Sequence, residues 1–311
     1  LGADPPALSG TFSSGTALPA TVVALQANYL EVELSEPAQA TRLLCTRRTR
    51  LAHQGADVHV GDQVWVEAID WQQCRGVVCN VEPRKSWLER PPVANVTTVV
   101  VALALAEPSF DADQASRFLL TAEQTDLDVQ VLLTKTDLIS ADALAERISA
   151  LRAWDYQPLA VSAKTGEGLD QLMGKLQGSF LSVLCGPSGV GKSSILNRCL
   201  PELSLRVGAL SSKLQRGRHT TRHVELFALE GGARVADTPG FNRPDLPADP
   251  RCLASLFPEL RHQLDPYPCR FRNCLHLDEP GCGVERSWPR YAFYRQCLQE
   301  MRGLSRPYRE G

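Results

Sequence analysis

An octapeptide at positions 186–193, Gly-Pro-Ser-Gly-Val-Gly-Lys-Ser, restricts the fold of this chain more than any other stretch. It fits Gly-x-x-x-x-Gly-Lys-Ser without a mismatch, and its flanks supply the required context. Phe180 to Cys185 is a short apolar run of strand type, and Ser193 to Leu200 reads as a helix. A strand, a glycine-rich turn and a helix in that order make a phosphate loop in an α/β sheet. Main-chain N–H groups of the turn Gly186, Pro187, Ser188, Gly189, Val190 and Gly191, proline excepted, can face phosphates, and the helix start adds partial positive charge. Lys192 is expected to reach the β- and γ-phosphates and Ser193 to hold Mg²⁺, with Ser194 among the nucleotide contacts.

Three further motifs bracket the loop. Asp237-Thr-Pro-Gly240 follows Val235 and Ala236, which places its aspartate at a strand's C-terminal end. Asp237 is then the Mg²⁺-side carboxylate, acting through water, and Gly240 completes the turn beside the nucleotide. Thr134-Lys135-Thr136-Asp137 leaves the apolar run Val129–Leu133. A carboxylate accepts from guanine N1–H and N2–H₂, whereas adenine offers no such donor pair, so Asp137 is assigned as the guanine reader. Lys135 would lay its stem against the base, and Ala163, within Ser162-Ala163-Lys164, would offer a backbone N–H to guanine O6. In the GTPases whose base-reading motif this tetrapeptide resembles, the residue matching 134 is Asn; Thr has a hydroxyl but no amide, which predicts weaker loop-to-loop hydrogen bonding. The base-reading motifs precede the phosphate loop, whereas an ordinary GTPase reads phosphate first and guanine last. A circular permutation of that fold produces this order.

Between the phosphate loop and Asp237 runs Lys213-Leu-Gln-Arg-Gly-Arg-His219-Thr220-Thr221-Arg-His223, too polar for a core element and placed where a switch loop must lie. Thr220 or Thr221 can ligate Mg²⁺ and sense the γ-phosphate. Phe241, following the Asp-Thr-Pro-Gly turn, cannot orient a water, so His219, beside those threonines and able to accept and donate near neutral pH, is the catalytic candidate. The permuted order, Gly217-Arg-His-Thr-Thr221 and a metal-ligand cluster beyond residue 268 together resemble the RsgA (YjeQ) family of circularly permuted GTPases, over nearly the whole chain. The resemblance implies a bacterial GTPase that assists late maturation of the small ribosomal subunit, binding that subunit and its rRNA. It implies GTP hydrolysis to GDP and phosphate, stimulated by the subunit, and it agrees with a catalytic histidine in the switch loop.

The cluster reads Cys269-x₄-Cys274-x-His276-x₅-Cys282. Three thiolates and one imidazole within 14 residues make a closed tetrahedral set for one structural Zn²⁺, with His262 and Cys252 in reserve. The other seven cysteines lack the spacing of a disulfide framework and are read as reduced. The Asp-Thr-Pro-Gly turn ends 29 residues before Cys269, which suggests that nucleotide state passes directly to the zinc module.

Before about residue 88 the chain alternates as short strands: Tyr29–Leu34, then Val58–Val60 and Val64–Val66 around a Gly61-Asp62 turn. This fits an OB-fold or an SH3-like barrel equally; the family resemblance implies the OB-fold. Trp65, Trp71 and Tyr29 are assigned to its core in preference to base stacking, and Pro83–Pro92 is read as a linker. Strand-like Thr97–Leu105, helix-like Asp113–Gln124, strand-like Val129–Leu133 and the helix stripe Leu144, Ile148, Leu151 then alternate as in a parallel sheet. Leu169, Leu172, Met173 and Leu176 mark a further helix, and Tyr291, Tyr294, Leu298 and Met301 an amphipathic C-terminal one.

The expected fold class is multidomain α/β: an RNA-binding OB-fold barrel over 1–87, a circularly permuted P-loop GTPase domain over 88–245 and a zinc-binding domain with a C-terminal helix over 246–311. A net charge of −2 excludes a uniformly basic nucleic-acid binder. RNA contact is then expected from local runs: Arg42, Arg47, Arg48 and Arg50; Arg84, Lys85 and Arg90; the switch-loop arginines; and Arg286 to Arg309. No apolar run approaches the ~20 residues of a spanning helix, and a cytoplasmic monomer without membrane contact is expected. Two other readings stand beside this one: a P-loop ATPase or kinase, disfavoured by Asp137 and Ser162-Ala163-Lys164, and a GTP-sensing RNA-binding module with negligible turnover.

Overall fold

The computed structural model describes residues 17–26, 28–35, 41–49, 51, 57–200, 224–237, 245–266 and 268–304. They fall into two compact units. In the first, β1 (Leu18–Leu25), β2 (Leu30–Leu34), β3 (Arg42–Arg47), β4 (Gln63–Asp70) and β5 (Arg75–Val81) close a barrel in the order β1-β2-β3-β5-β4. Every pairing with a described register is antiparallel except β3 with β5, which is parallel. This is a five-stranded barrel of the OB type. Leu30, Val32 and Leu34 point into its core with Val22, Leu43 and Val66, as the period of two requires.

The expected turn at Gly61-Asp62 forms, with the Asp62 N–H donating to the His59 carbonyl at 3.2 Å, but β4 pairs with β1 and β5 and not with Val58–Val60. Val60 bridges in parallel to Val93, and Gly61, at φ +90°, lies so close to the Ala94 carbonyl that a Cβ would sit 2.1 Å from its oxygen. Asp62 is fully buried and needs charged partners. It accepts from the His59 N–H and from Arg84 Nε and Nη2 at 2.7 and 3.0 Å. The expected linker is therefore a docked hairpin, β6 (Trp87–Glu89) antiparallel to β7 (Pro92–Ala94). Trp71 and Tyr29 are exposed, Trp71 in the turn that joins β4 to β5 beyond the barrel's apolar interior. Trp65 is half-buried, its Nε1 bonded to Glu82. The same unit contains β12 (Leu226–Ala228) and β13 (Arg234–Asp237), an antiparallel pair whose approach Glu225 bridges to Ala24 of β1.

In the second unit, β8 (Thr98–Ala104), β9 (Asp128–Thr134) and β10 (Leu159–Val161) run parallel in the order β10-β9-β8. All seven residues of β8 are buried, the mark of a strand covered on both faces. Helices α1 (Ala112–Glu123), α2 (Ala141–Ala153) and α3 (Leu169–Gln177) follow the expected stripes; Asp111 caps α1 by accepting from the Gln114 N–H at 2.8 Å, and Ser140 caps α2. The fully buried β11 (Leu181–Cys185) leads into the phosphate loop and α4 (Lys192–Cys199).

The C-terminal segment adds α5 (Pro258–Leu264) and α6 (Tyr291–Leu304) around a core of Phe257, Trp288, Phe293, Tyr294 and Leu298, joined by Leu120 of α1. Arg290 lies within it, bonded to Glu259 through Nε and Nη2 at 2.7 and 2.5 Å and stacked over Trp154, Tyr156 and Phe257. Burial opposes its charge, but the Glu259 carboxylate and Tyr156 outweigh that and hold its pKa above the ordinary value. No helix among the described residues is long and apolar enough to cross a membrane.

Candidate functional site

The phosphate loop adopts its shape because its first residue has no side chain. Gly186, at φ +132°, touches the carbonyl of Ala102 in β8, where a Cβ would come within 2.1 Å of the oxygen. Lys192 Nζ donates to the carbonyls of Gly186 and Pro187, both at 2.8 Å, which holds the ammonium over the turn. Cys185, just before the loop, is sealed in the sheet, and burial pushes its thiol up to about 12.

A cleft of about 520 Å³ opens beside the loop. Thr134, Lys135, Asp137, Ala163, Lys164, Val190, Gly191 and Ser194, eight of the sequence-derived nucleotide residues, line it together. Asp137 stands in a short 3₁₀ turn following β9; its Oδ1 accepts from Ser162 Oγ at 2.6 Å, and Oδ2 lies 4.0 Å from Lys164 Nζ. Ser162 is thus behind the carboxylate, orienting it, and is itself fully buried. Lys135 has left-handed backbone (φ +57°); its Nζ donates to the Glu107 carbonyl, and its Cε lies 3.9 Å from where a Cβ on Gly191 would stand. Pro187 and Ser188 face a second cleft, with Asp111, Asp113 and Arg117.

Thr134 makes its loop-to-loop contact through the hydroxyl alone. Its buried hydroxyl donates to the Val190 carbonyl at 2.6 Å, so the loop after β9 and the phosphate loop are tied directly. A hydroxyl carries one proton, and Thr spends it on this contact.

The cleft also includes Glu107, Leu138, Ile195, Asn197 and Arg198, which the motifs did not indicate. The spacing Ser194 to Arg198, one turn along α4, is a signal that reaches one of them; Glu107 has none. Asp237 is the last residue of β13. His219, Thr220, Thr221 and Gly240 lie outside the described residues, as do Arg206, Lys213, Arg216, Arg218 and Arg222.

Several of the basic positions read as RNA contacts pair with the protein's own carboxylates, Arg286 with Asp278 at 3.0 Å among them. Arg42 pairs with Glu31, Glu33 and Glu225, Arg84 with Asp62, and Arg290 with Glu259. Arg48 also pairs with Glu67 at 2.6 Å, on a more exposed surface.

Cys269, Cys274, His276 and Cys282 converge, their ligand atoms all within 4.8 Å of one another. Cys269 Sγ lies 3.9 Å from Cys282 Sγ and 3.5 Å from His276 Nδ1, and Cys282 Sγ is 3.7 Å from that nitrogen. A tetrahedral ion with metal–sulfur bonds of about 2.3 Å has sulfur–sulfur edges of about 3.8 Å, so the donor set fits one. The loop is held from both sides: Glu279 accepts from the N–H groups of Leu275 and Leu277 at 3.0 and 2.8 Å, and Tyr294 Oη of α6 donates to the Leu275 carbonyl at 2.7 Å. Gly281, at φ +76°, turns the chain where a Cβ would meet Arg270 at 2.9 Å. Neither reserve ligand takes part: Cys252 is exposed, and His262 lies 4.0 Å from Asp155.

Residues 81–247 match the family profile described as RsgA GTPase. A protein of Prochlorococcus marinus (strain MIT 9303), named small ribosomal subunit biogenesis GTPase RsgA, is 65% identical over 303 residues, covering 93% of this chain and 94% of its own. A protein of the same name from Synechococcus sp. (strain CC9311) is 65% identical over 292 residues, covering 93% and 96%. Among solved structures, YjeQ from Thermotoga maritima superposes with a TM-score of 0.77 at 30% identity, covering 94% of this chain and all of its own. YloQ, described as a circularly permuted GTPase, gives 0.76 at 27% identity, covering 94% and 98%. With a family profile spanning more than half its length and relatives matched nearly end to end, the chain belongs to the RsgA GTPase family.

Proposed function

We propose that this protein binds GTP in the cleft beside the phosphate loop, hydrolyses it to GDP and phosphate, and assists late maturation of the small ribosomal subunit in the cytoplasm, where contact with the subunit accelerates turnover. The observation that carries the nucleotide assignment is the Asp137 carboxylate, steered by Ser162 in a cleft shared with Ala163, Lys164 and the phosphate loop. The ribosomal partner follows the names of the relatives.

Asp137 accepts from the guanine edge, and Ala163 offers its N–H to O6. Gly186, Pro187, Ser188, Gly189, Val190 and Gly191 wrap the phosphates, with Lys192 and Ser194 adding donors. Ser193, Asp237 and Thr220 or Thr221 are the residues that would hold Mg²⁺, which when bound neutralises charge on the phosphate oxygens. His219 orients the attacking water. Cys269, Cys274, His276 and Cys282 would hold one Zn²⁺, a closed set that braces the C-terminal segment and leaves no position for catalysis. Exposed Tyr29 and Trp71, at two loop tips of the barrel, are the stacking surfaces for rRNA.

The deciding experiment is GTP turnover with and without purified small subunits, with Lys192→Ala as the inactive control. Turnover confined to the parent protein and raised by subunits supports the reading. Turnover that ATP supports equally well, or that subunits leave unchanged, refutes it.

A further inference from the structure

Of the four residues in the Cys/His cluster, His276 alone has left-handed backbone, at φ +57°. A residue with a Cβ adopts that conformation at a cost, so its surroundings must hold it there. The ring atom that faces the cluster is Nδ1, 3.5 Å from Cys269 Sγ and 3.7 Å from Cys282 Sγ. Nδ1 adjoins the carbon that joins the ring to its stem, so an ion bound there lies nearer the main chain than one bound through Nε2. The fit of the fourth ligand then depends on the backbone at 276. Groups that are not ligands hold that backbone. The Glu279 carboxylate takes the N–H groups on both sides of His276, Leu275 through Oε1 at 3.0 Å and Leu277 through Oε2 at 2.8 Å, while the His276 N–H bonds the Cys274 sulfur. On the carbonyl side, Tyr294 Oη donates to Leu275 at 2.7 Å and Tyr291 Oη to His276 at 3.4 Å.

We infer that Glu279, supported by Tyr294, is a positioning residue that sets how tightly the Cys/His cluster retains its ion. Both Glu279 oxygens already accept an N–H, which keeps the carboxylate outside the ligand set although Oε2 lies 3.7 Å from Cys274 Sγ. Its two bonds are charge-assisted and fix the turn in the ligating conformation beforehand, so that uptake of the ion does not have to order it. Tyr294 is fully buried in the aromatic core of the C-terminal segment and gives the turn a rigid post. The retention of the ion is thereby set by hydrogen bonds to Leu275, His276 and Leu277 as well as by the four donor atoms. This rests on the reading of the four ligands proposed above.

The test is the Zn²⁺ affinity of the full-length protein, measured by competition with a chromophoric chelator, together with the visible spectrum of Co²⁺ bound in place of Zn²⁺. Glu279→Gln keeps an acceptor for one N–H and loses the other, Glu279→Ala loses both, and Tyr294→Phe removes a single hydroxyl. The Kd for Zn²⁺ should rise about tenfold in Glu279→Gln and Tyr294→Phe and toward about 100-fold in Glu279→Ala, the range seen when groups supporting a metal ligand are removed. The Co²⁺ absorption, which reports a tetrahedral sulfur and nitrogen set, should shift or weaken in the same order. A merely structural role would lower the melting temperature of the metal-free protein and leave the Zn²⁺ affinity and the Co²⁺ spectrum of the folded protein at parental values. Those parental values in folded Glu279→Ala overturn the inference, and if that variant does not fold, Glu279→Gln and Tyr294→Phe decide by the same measurements. A parent that takes up neither Zn²⁺ nor Co²⁺ refutes the reading of the four ligands, and the inference with it.

Discussion

Replacing Asp137 by Asn alters one atom at the point where, in the function proposed, the base is read. The carboxylate is mostly buried, with one oxygen already taking the Ser162 hydroxyl at 2.6 Å. The Lys164 ammonium, 4.0 Å from the other oxygen, is largely exposed and adds little. Guanine brings two donors, N1–H and N2–H, and a hydrogen bond to a charged acceptor contributes about 1.5–3 kcal/mol. Asn keeps one oxygen, now neutral, and turns an N–H toward a donor. One bond is lost and the other weakened, a loss of about 3 kcal/mol or roughly two orders of magnitude in Kd. The same N–H suits a carbonyl at position 2 of the purine, so affinity for xanthosine diphosphate should rise as that for GDP falls. Calorimetric titration of both nucleotides into parent and variant measures this. GDP affinity near the parental value, or a parallel fall for both nucleotides, would refute the assignment.

Thr134→Val removes the donor to the Val190 carbonyl and leaves that buried oxygen unsatisfied; a loss of about 1–3 kcal/mol should appear as a lower melting temperature and weaker GDP binding. Purified protein should carry one zinc per chain by elemental analysis, and Cys274→Ser should lose it and destabilise the C-terminal segment while GDP binding survives. His219→Ala should retain GTP affinity and subunit binding but lower subunit-stimulated turnover by about 10²-fold; loss of docking with turnover intact would make it a binding residue. Brief alkylation of native protein at pH 8 should label exposed Cys74 and Cys252 before Cys45 and Cys185, whose thiols burial pushes up to about 12, as peptide mass mapping would show.

The helices and parallel strands of the second unit were legible because their apolar stripes have a clean period and β8 and β9 carry the buried apolar runs Val99–Ala104 and Val131–Leu133. The phosphate loop, the cleft and the Cys/His cluster were legible where short-range chemistry calls for particular residue types: glycine at 186, a carboxylate at 137, and thiols and imidazole at 269, 274, 276 and 282. What escaped was set by distant partners. Nothing near Asp62 announces that Arg84 will be its counterion, so the residues around it looked like a hairpin and a linker. Arg42 carries the same charge whether it meets RNA or three carboxylates. Glu107 enters the cleft by its place in the loop after β8, a position without periodicity or motif. The Thr134 hydroxyl found a carbonyl 56 residues away that only the tertiary fold brings near.

The Arg290 contacts bear on how this chain can be taken apart. Trp154 and Tyr156, which follow α2, lie against its guanidinium; the Tyr156 hydroxyl, raised above its ordinary pKa by burial, donates to Glu123, which also receives Arg261 from α5. Leu120, one turn earlier on α1, is counted in the same apolar core as Phe257 and Tyr294. A protease or a gene truncation that stopped the chain near residue 245 would therefore not release a clean nucleotide-binding fragment. It would strip cover from Leu120, Trp154 and Tyr156 and strand the Glu123 carboxylate beside an apolar surface, a combination that favours aggregation. The segment that carries the Cys/His cluster cannot be exchanged between proteins as a cassette unless its aromatic seat travels with it, and loss of those four ligands would have to leave Arg290 and Glu259 in place.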